Sequence, residues 1–217
     1  MLLNTSTVFA SIRHHAKQRN IGAINYFFNN ANKRCTRASS TTQSYHEVEK
    51  HRACNQEYNG VLNIRNSPSN KGLGLFASKD FAAGDLVVSS KPLSTTKERC
   101  THSVQIDWDQ HVLMDLPAIL INHSCNGNVG IRSNDNKVQD EDVAEDEVVG
   151  AYDFWAMRPI KKGQELTWDY EATEWELCTP FDCNCGSPNC RGKVRGFKDS
   201  GDIIRKQYGE YHAEYLK

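Results

Sequence analysis

No stretch of 18 consecutive apolar residues occurs in this 217-residue chain, which excludes a membrane-spanning helix. No internal repeat is present, and no secretory leader of clear quality. Thiols are therefore expected to bind metal or stay free rather than to pair as disulfides. Apolar residues make up only 38% of the chain, so part of it is expected to lie outside a packed core. Residues 1–46 lack Asp and Glu entirely while carrying Arg13, Lys17, Arg19, Lys33, Arg34 and Arg37. In a chain of net charge −1, that leaves a clear acidic excess for the remainder. An acid-free, basic stretch rich in Ser, Thr and Asn has the composition of a mitochondrial or plastid transit peptide. A disordered basic arm that touches nucleic acid is the alternative. Residues 1–50 are read as a disordered basic extension outside the fold.

From Val61 onward, short alternating or β-branched runs recur. "VLNIRNS", "LGLFASKDF", "DLVVSS", "GNVGIRSNDN" and "VVGAYDFWAM" read as strands. "HSVQIDW" and "HVLMDL" read as a hairpin, and "PAILI" as a short buried strand. "RPIKKGQELTWDY" gives a turn at Lys162-Gly163 and another strand. "QDEDVAEDE" has no apolar period and reads as a solvated acidic loop; attraction of a basic substrate tail is its alternative. The tail from Asp199 reads as a helix with Ile203, Tyr208, Tyr211 and Tyr215 near one face, although Gly209 opposes it. The fold class is mainly β, with several small sheets.

"CNCGSPNC" places Cys183, Cys185 and Cys190 in a C-x-C-x4-C arrangement. Three thiolates among tight turns form a zinc knuckle with one ligand short of a tetrahedron. Cys125, Cys178 and Cys100 are candidates for the fourth. Arg191, Lys193 and Arg195 stand beside the cluster and can offset its negative charge. Should Cys125 close the site, "INHSC" must lie against the C-terminal cluster, and the two together enclose a pocket beside Asn122 and His123.

Four motifs in order resemble those of the SET-domain family of protein lysine methyltransferases. "KGLGLFA" at 71–77 is similar to the family's G-x-G motif, "NHSCNGN" at 122–128 to N-H-S-C-x-P-N, "GQELTWDY" at 163–170 to G-E-E-L-T-F-D-Y, and "CNCGSPNCRG" at 183–192 to the post-SET zinc motif. The resemblance covers about residues 60–195. It implies a SET domain at 58–172, a pseudoknot-like threading of the C-terminal strand that brings "NHSC" beside "WDY", a post-SET zinc segment at 178–195 and a C-terminal helix at 196–217.

The resemblance also implies roles. Tyr170 is the catalytic tyrosine. Lys71, Gly72, Gly74, Asn122 and His123 bind S-adenosyl-L-methionine, the glycines by allowing close backbone approach. Trp168 borders the substrate channel at a position that is usually Phe or Tyr. Cys125, Cys183, Cys185 and Cys190 hold a structural zinc. Gly127 replaces the motif's Pro, Ile119 stands where an Arg is frequent, and no cysteine-rich segment precedes the domain. The implied partner is a lysine-bearing protein such as a histone, with no membrane and no direct nucleic-acid contact, and the chain is expected to be a monomer. Mitochondrion or plastid is the expected compartment, with the nucleus as the alternative. Two rival readings are a zinc-stapled, non-catalytic peptide-binding or chromatin-docking module, and a nucleic-acid-binding knuckle, which the acidic balance after residue 46 opposes.

Overall fold

The protein is described here by a computed structural model covering residues 41–68, 71–135 and 150–217. Most of the expected basic extension and the whole acidic run at 140–147 lie outside the described residues. Among the described residues, no helix is long and apolar enough to cross a membrane.

The first element corrects the N-terminal expectation. Helix α1 spans Thr41–Glu57, so regular structure begins inside the stretch that was set aside as disordered. The helix carries no apolar stripe, which is why periodicity missed it. Its C-terminal end is anchored by tertiary contacts instead. Cys54 is buried, and the Asn55 amide both accepts from Ile64 N at 2.6 Å and donates to Ile64 O at 3.2 Å.

Strands β1 (Leu62–Asn66) and β2 (Leu73–Ala77) form an antiparallel pair, with Leu62 opposite Ala77 and Asn66 opposite Leu73. A second sheet has the order β3-β9-β8, built from Leu86–Ser89, Tyr152–Ala156 and Val129–Ser133. Its central strand β9 alternates strictly: Tyr152, Phe154 and Ala156 are buried while Asp153 and Trp155 are not. That two-residue period turns one face into core, where Ile131 and Phe154 have no exposed surface. A third sheet has the order β4-β6-β5. Strands β5 (Val104–Asp107) and β6 (Gln110–Met114) are the expected hairpin; β4 (Pro92–Thr96) was not anticipated. Its leading proline sits where an edge strand tolerates a missing donor.

"PAILI" is not a strand. Ala118–Leu120 form a 3-10 turn, entered from Pro117 in a helical conformation, and only Ile121 is extended. That turn aims the chain into β7 (Asn122–His123), which pairs in parallel with β10 (Thr167–Trp168). Each strand has two residues, yet the junction is reinforced on both sides. Ser124 N donates to Trp168 O at 3.0 Å and Asn128 N to Thr167 O at 2.9 Å. The Asn128 side chain donates to Glu165 O at 2.8 Å and accepts from Thr167 N at 2.9 Å.

Beyond β10 lie a 3-10 turn (Tyr170–Ala172), the antiparallel pair β11 (Phe181–Asp182) and β12 (Lys193–Val194), and helix α2 (Phe197–Tyr208). Helix α2 is shorter than expected, because Gly209 at φ 57° ends it. Its buried face is Phe197, Ser200, Ile204 and Tyr208. Ile203, which was assigned to that face, is 49% exposed.

Candidate active site and metal centre

The parallel pair sets the geometry. With Trp168 opposite His123, the next residue but one, Tyr170, comes directly beside the imidazole. Tyr170 N donates to His123 Nδ1 at 3.3 Å, and the two rings meet edge to face at 5.2 Å. The Tyr170 hydroxyl donates to the Ile121 carbonyl at 3.1 Å. The Trp168 indole Nε1 donates to the same carbonyl at 3.2 Å. One carbonyl thus fixes both aromatic side chains, whose rings lie 5.0 Å apart. Phe154 closes the far side of Trp168 at 5.7 Å, and Phe181 approaches Tyr170 at 6.3 Å and His123 at 5.5 Å.

Burial sets the protonation states here. It pushes the Tyr170 hydroxyl well above its usual range, so at neutral pH this group is a proton-bearing donor and not a base. Burial, with the Arg191 cation nearby, holds the His123 imidazole down at about 3. A neutral ring that accepts at Nδ1 carries its proton on Nε2, and Nε2 lies 3.4 Å from Cys125 Sγ.

The G-x-G segment faces the same strands. Lys71 Nζ donates to the His123 carbonyl at 2.9 Å. Gly72 has φ 79°, and no atom lies within 4 Å of where a Cβ would stand, so the loop presents open backbone there. Gly74 is glycine for a different reason. A Cβ would meet Glu165 Oε1 at 2.5 Å and Asn122 Nδ2 at 2.9 Å. Asn122 Nδ2 spends its donors on Leu73 O at 3.1 Å and Glu165 Oε1 at 2.8 Å, which leaves its amide oxygen for a ligand, while its main chain pairs with β10. Glu165 also accepts from Ser67 Oγ at 2.9 Å. It was not singled out from the sequence, although it lies within the quoted "GQELTWDY".

Cys125, Cys183, Cys185 and Cys190 converge, with all four sulfurs within 4.8 Å of one another. Four thiols and no competing hard ligand suit zinc. A tetrahedron with bonds of about 2.3 Å sets sulfurs about 3.8 Å apart, and Cys125 Sγ lies 3.7 Å from Cys183 Sγ. Cys100 and Cys178, the other candidates for the fourth ligand, are both exposed and outside the cluster. The basic residues beside the cluster divide their partners. Lys193 is exposed, 3.8 Å from Asp182. Arg191 holds its Nη2 2.7 Å from both Asp169 Oδ1 and Glu171 Oε2, and its charge also favours the thiolate form of Cys125, as expected. Its backbone N–H points to Cys125 Sγ at 3.5 Å.

Helix α2 braces the same loop. Gln207 Nε2 donates to Cys125 O at 2.7 Å, and the Tyr208 hydroxyl lies 3.0 Å from that carbonyl and 3.1 Å from Asp169 Oδ2. Gly127 is packed flat, for a Cβ would come within 2.8 Å of both Thr167 O and Trp168 Cα. Arg158 then clamps the loop from outside through Gly127 O at 2.6 Å and Asn126 O at 2.9 Å.

The fold and the site define a domain of small β-sheets in which a short parallel pair presents a partly buried tyrosine beside a four-thiol cluster. The family model described as "SET domain" matches residues 72–171, and this part of the chain is a SET domain. Among curated proteins, the chain is 43% identical over 51 residues to methyltransferase flvH of Aspergillus flavus, covering 24% of this chain and 29% of that protein. It is 36% identical over 84 residues to histone-lysine N-methyltransferase ASHH2 of Arabidopsis thaliana, covering 39% of this chain and 4% of that protein. The chain thus spans less than a third of either relative. Among solved structures, Arabidopsis thaliana SUVH6 in complex with SAM aligns with a TM-score of 0.48 and 16% identity, over 62% of this chain and 33% of that one.

Proposed function

We propose that this protein transfers a methyl group from S-adenosylmethionine to a lysine side chain of a protein substrate, with Tyr170 as the catalytic residue and one structural zinc on Cys125, Cys183, Cys185 and Cys190. The observation that carries the reading is the shared Ile121 carbonyl, which holds the Tyr170 hydroxyl and the Trp168 indole at one point between the G-x-G loop and the thiol centre. The open backbone at Gly72 and the free amide oxygen of Asn122 fit a bound cofactor, together with Lys71 and the His123 main chain. When bound, S-adenosylmethionine supplies a methyl group on a positively charged sulfur.

The residues present suit a reaction that needs a neutral amine and no strong base. A free lysine has a pKa near 10.4 and costs about 4–5 kcal/mol to deprotonate at pH 7. The packed rings of Trp168, Tyr170 and Phe181 would shield a bound amine from water and lower that pKa by desolvation. The Tyr170 hydroxyl, protonated at working pH, orients the amine and polarises C–H groups through weak contacts. Fixing the reacting atoms in line contributes much of the remaining barrier reduction. Trp168 is bulkier than the usual Phe or Tyr and its indole is tied down, which supports a low methylation state. Lysine as the acceptor is supported by the histone-lysine methyltransferase named among the relatives, while the fungal relative is named only as a methyltransferase. The basic composition of residues 1–46 supports an organellar location, which leaves non-histone substrates in view.

The test is incubation with labelled S-adenosylmethionine and fractionated cell extract, wild type beside Tyr170→Phe. Label on lysine that falls by about 100-fold or more in the variant is expected, the scale of losing a transition-state contact together with alignment. Equal labelling by both proteins removes Tyr170 from its role.

A further inference from the structure

Arg191 joins the thiol centre to the tyrosine turn, and we propose that it is a positioning residue that sets the placement of Tyr170; this rests on the methyl-transfer reading above. Its two ends face different halves of the site. The backbone N–H lies 3.5 Å from Cys125 Sγ. Nη2 lies 2.7 Å from Asp169 Oδ1 and 2.7 Å from Glu171 Oε2. Those two carboxylates bracket Tyr170 in the chain, and only 2% of Asp169 and 1% of Glu171 is exposed.

Each bracket residue has a second hold. Asp169 caps the one-turn helix by accepting from Glu171 N at 3.2 Å and faces the Tyr208 hydroxyl at 3.1 Å. Glu171 Oε1 accepts from Arg195 N at 2.7 Å and Gly196 N at 2.9 Å. Arg191 is the cation the two carboxylates share, 2.7 Å from each, while the His123 ring stands farther off, 3.8 Å from Asp169. Nε and Nη1 of Arg191 have no hydrogen-bond partner among the described residues, so the bridge runs through a single nitrogen.

The consequence is geometric. Drawing both carboxylates to one point fixes the backbone between them, and that backbone carries the Tyr170 ring whose hydroxyl meets Ile121 O at 3.1 Å. The residue that follows the last sulfur therefore decides where the tyrosine hydroxyl stands. Metal closure and tyrosine alignment become one event.

Arg191→Lys tests this. Lysine keeps the charge, but its ammonium ends about 1 Å short of Nη2, and a misplacement of about that size costs on the order of 100-fold in rate. The full chain is loaded with zinc and 3-fluorotyrosine, and the Tyr170 fluorine resonance is assigned from its loss in Tyr170→Phe. Arg191→Lys is expected to shift that resonance and to lower kcat by about 100-fold, with KM for the lysine substrate within about twofold. Zinc content and calorimetric affinity for S-adenosylhomocysteine are expected to match wild type. An unshifted Tyr170 resonance overturns the proposal. So does a fall of kcat, zinc content and cofactor affinity together, which would make Arg191 a structural staple only. If Arg191→Lys does not fold, the double variant Arg191→Lys, Asp169→Asn removes one buried charge with the bridge; its Tyr170 resonance must also be displaced, and a wild-type position overturns the proposal. A wild type that methylates no lysine defeats the functional reading alone, because the fluorine shift still decides what Arg191 holds.

Discussion

The β3-β9-β8 sheet and the segment from Cys178 to Arg195 are held together by different means. The sheet buries Val88, Val129, Ile131, Tyr152, Phe154 and Ala156 in one continuous core. Apolar burial of about 25 cal/mol per Å² is enough to hold such a sheet without a ligand. The Cys178–Arg195 segment has a separate small cluster, in which Cys125, Cys183 and Val194 are buried and Leu177 and Phe181 pack alongside. Its one strand pair has two residues on each side. A segment with so little apolar area needs a cross-link, and four convergent thiols provide one. The first region rests on a shared apolar core, and the second on a four-thiol cluster that would act as a clasp when it carries an ion.

The largest effect expected from this contrast follows zinc removal. Cys125→Ser, or treatment with a strong chelator, is expected to abolish methyl transfer and to strip amide-exchange protection from residues 178–195. Amides of β8 and β9 should keep their protection. Simultaneous loss in both regions would mean that the sheet also depends on the metal. A smaller effect is expected from Gly127→Ala, whose Cβ would press on the Thr167 carbonyl 2.8 Å away. Overpacking against backbone costs about 1–3 kcal/mol, measurable by denaturant unfolding, while zinc content stays near one ion per chain.

An effect of similar size, confined to one pH range, concerns Glu174, which accepts from Gln105 N at 2.7 Å. Burial raises its carboxyl from 4.5 to about 7. The folded chain then binds this proton more tightly than the unfolded chain. Its contribution is fully present below pH 4.5 and is lost as pH rises through about 7. Glu174→Gln is expected to raise Tm above wild type at pH 8, by about 1–3 kcal/mol of stability. The two melting curves should converge near pH 4. A variant less stable than wild type at pH 8 would show that the ionised carboxylate is needed.

The metal centre was legible because cysteine is scarce and a tetrahedral ion leaves a countable vacancy. Which thiol filled it was not legible from spacing, and Cys125 stood out only through the resemblance to a known family. The strands with a clean two-residue period, such as β9, were also legible. Elements fixed by a few distant contacts were not. Helix α1 has no stripe, Pro117 turned an apolar run into a 3-10 turn, and β7 and β10 are too short to carry a period. Among the polar residues of the site, Glu165 and Arg191 look like ordinary solvated charges in one dimension. Nothing in the chain order reveals that each meets its partners in a buried junction. Phe181 was missed for the same reason, since its packing on Tyr170 follows from the closure of the clasp.

The Cys125 loop waits for residues far downstream. Its sulfur finds Cys183 across a separation of 58 positions, and its carbonyl is gripped by Gln207 across 82. During synthesis the mid-chain thiol therefore leaves the ribosome long before its companions exist. Until those positions are made, the Cys125 sulfur and carbonyl have neither of these partners.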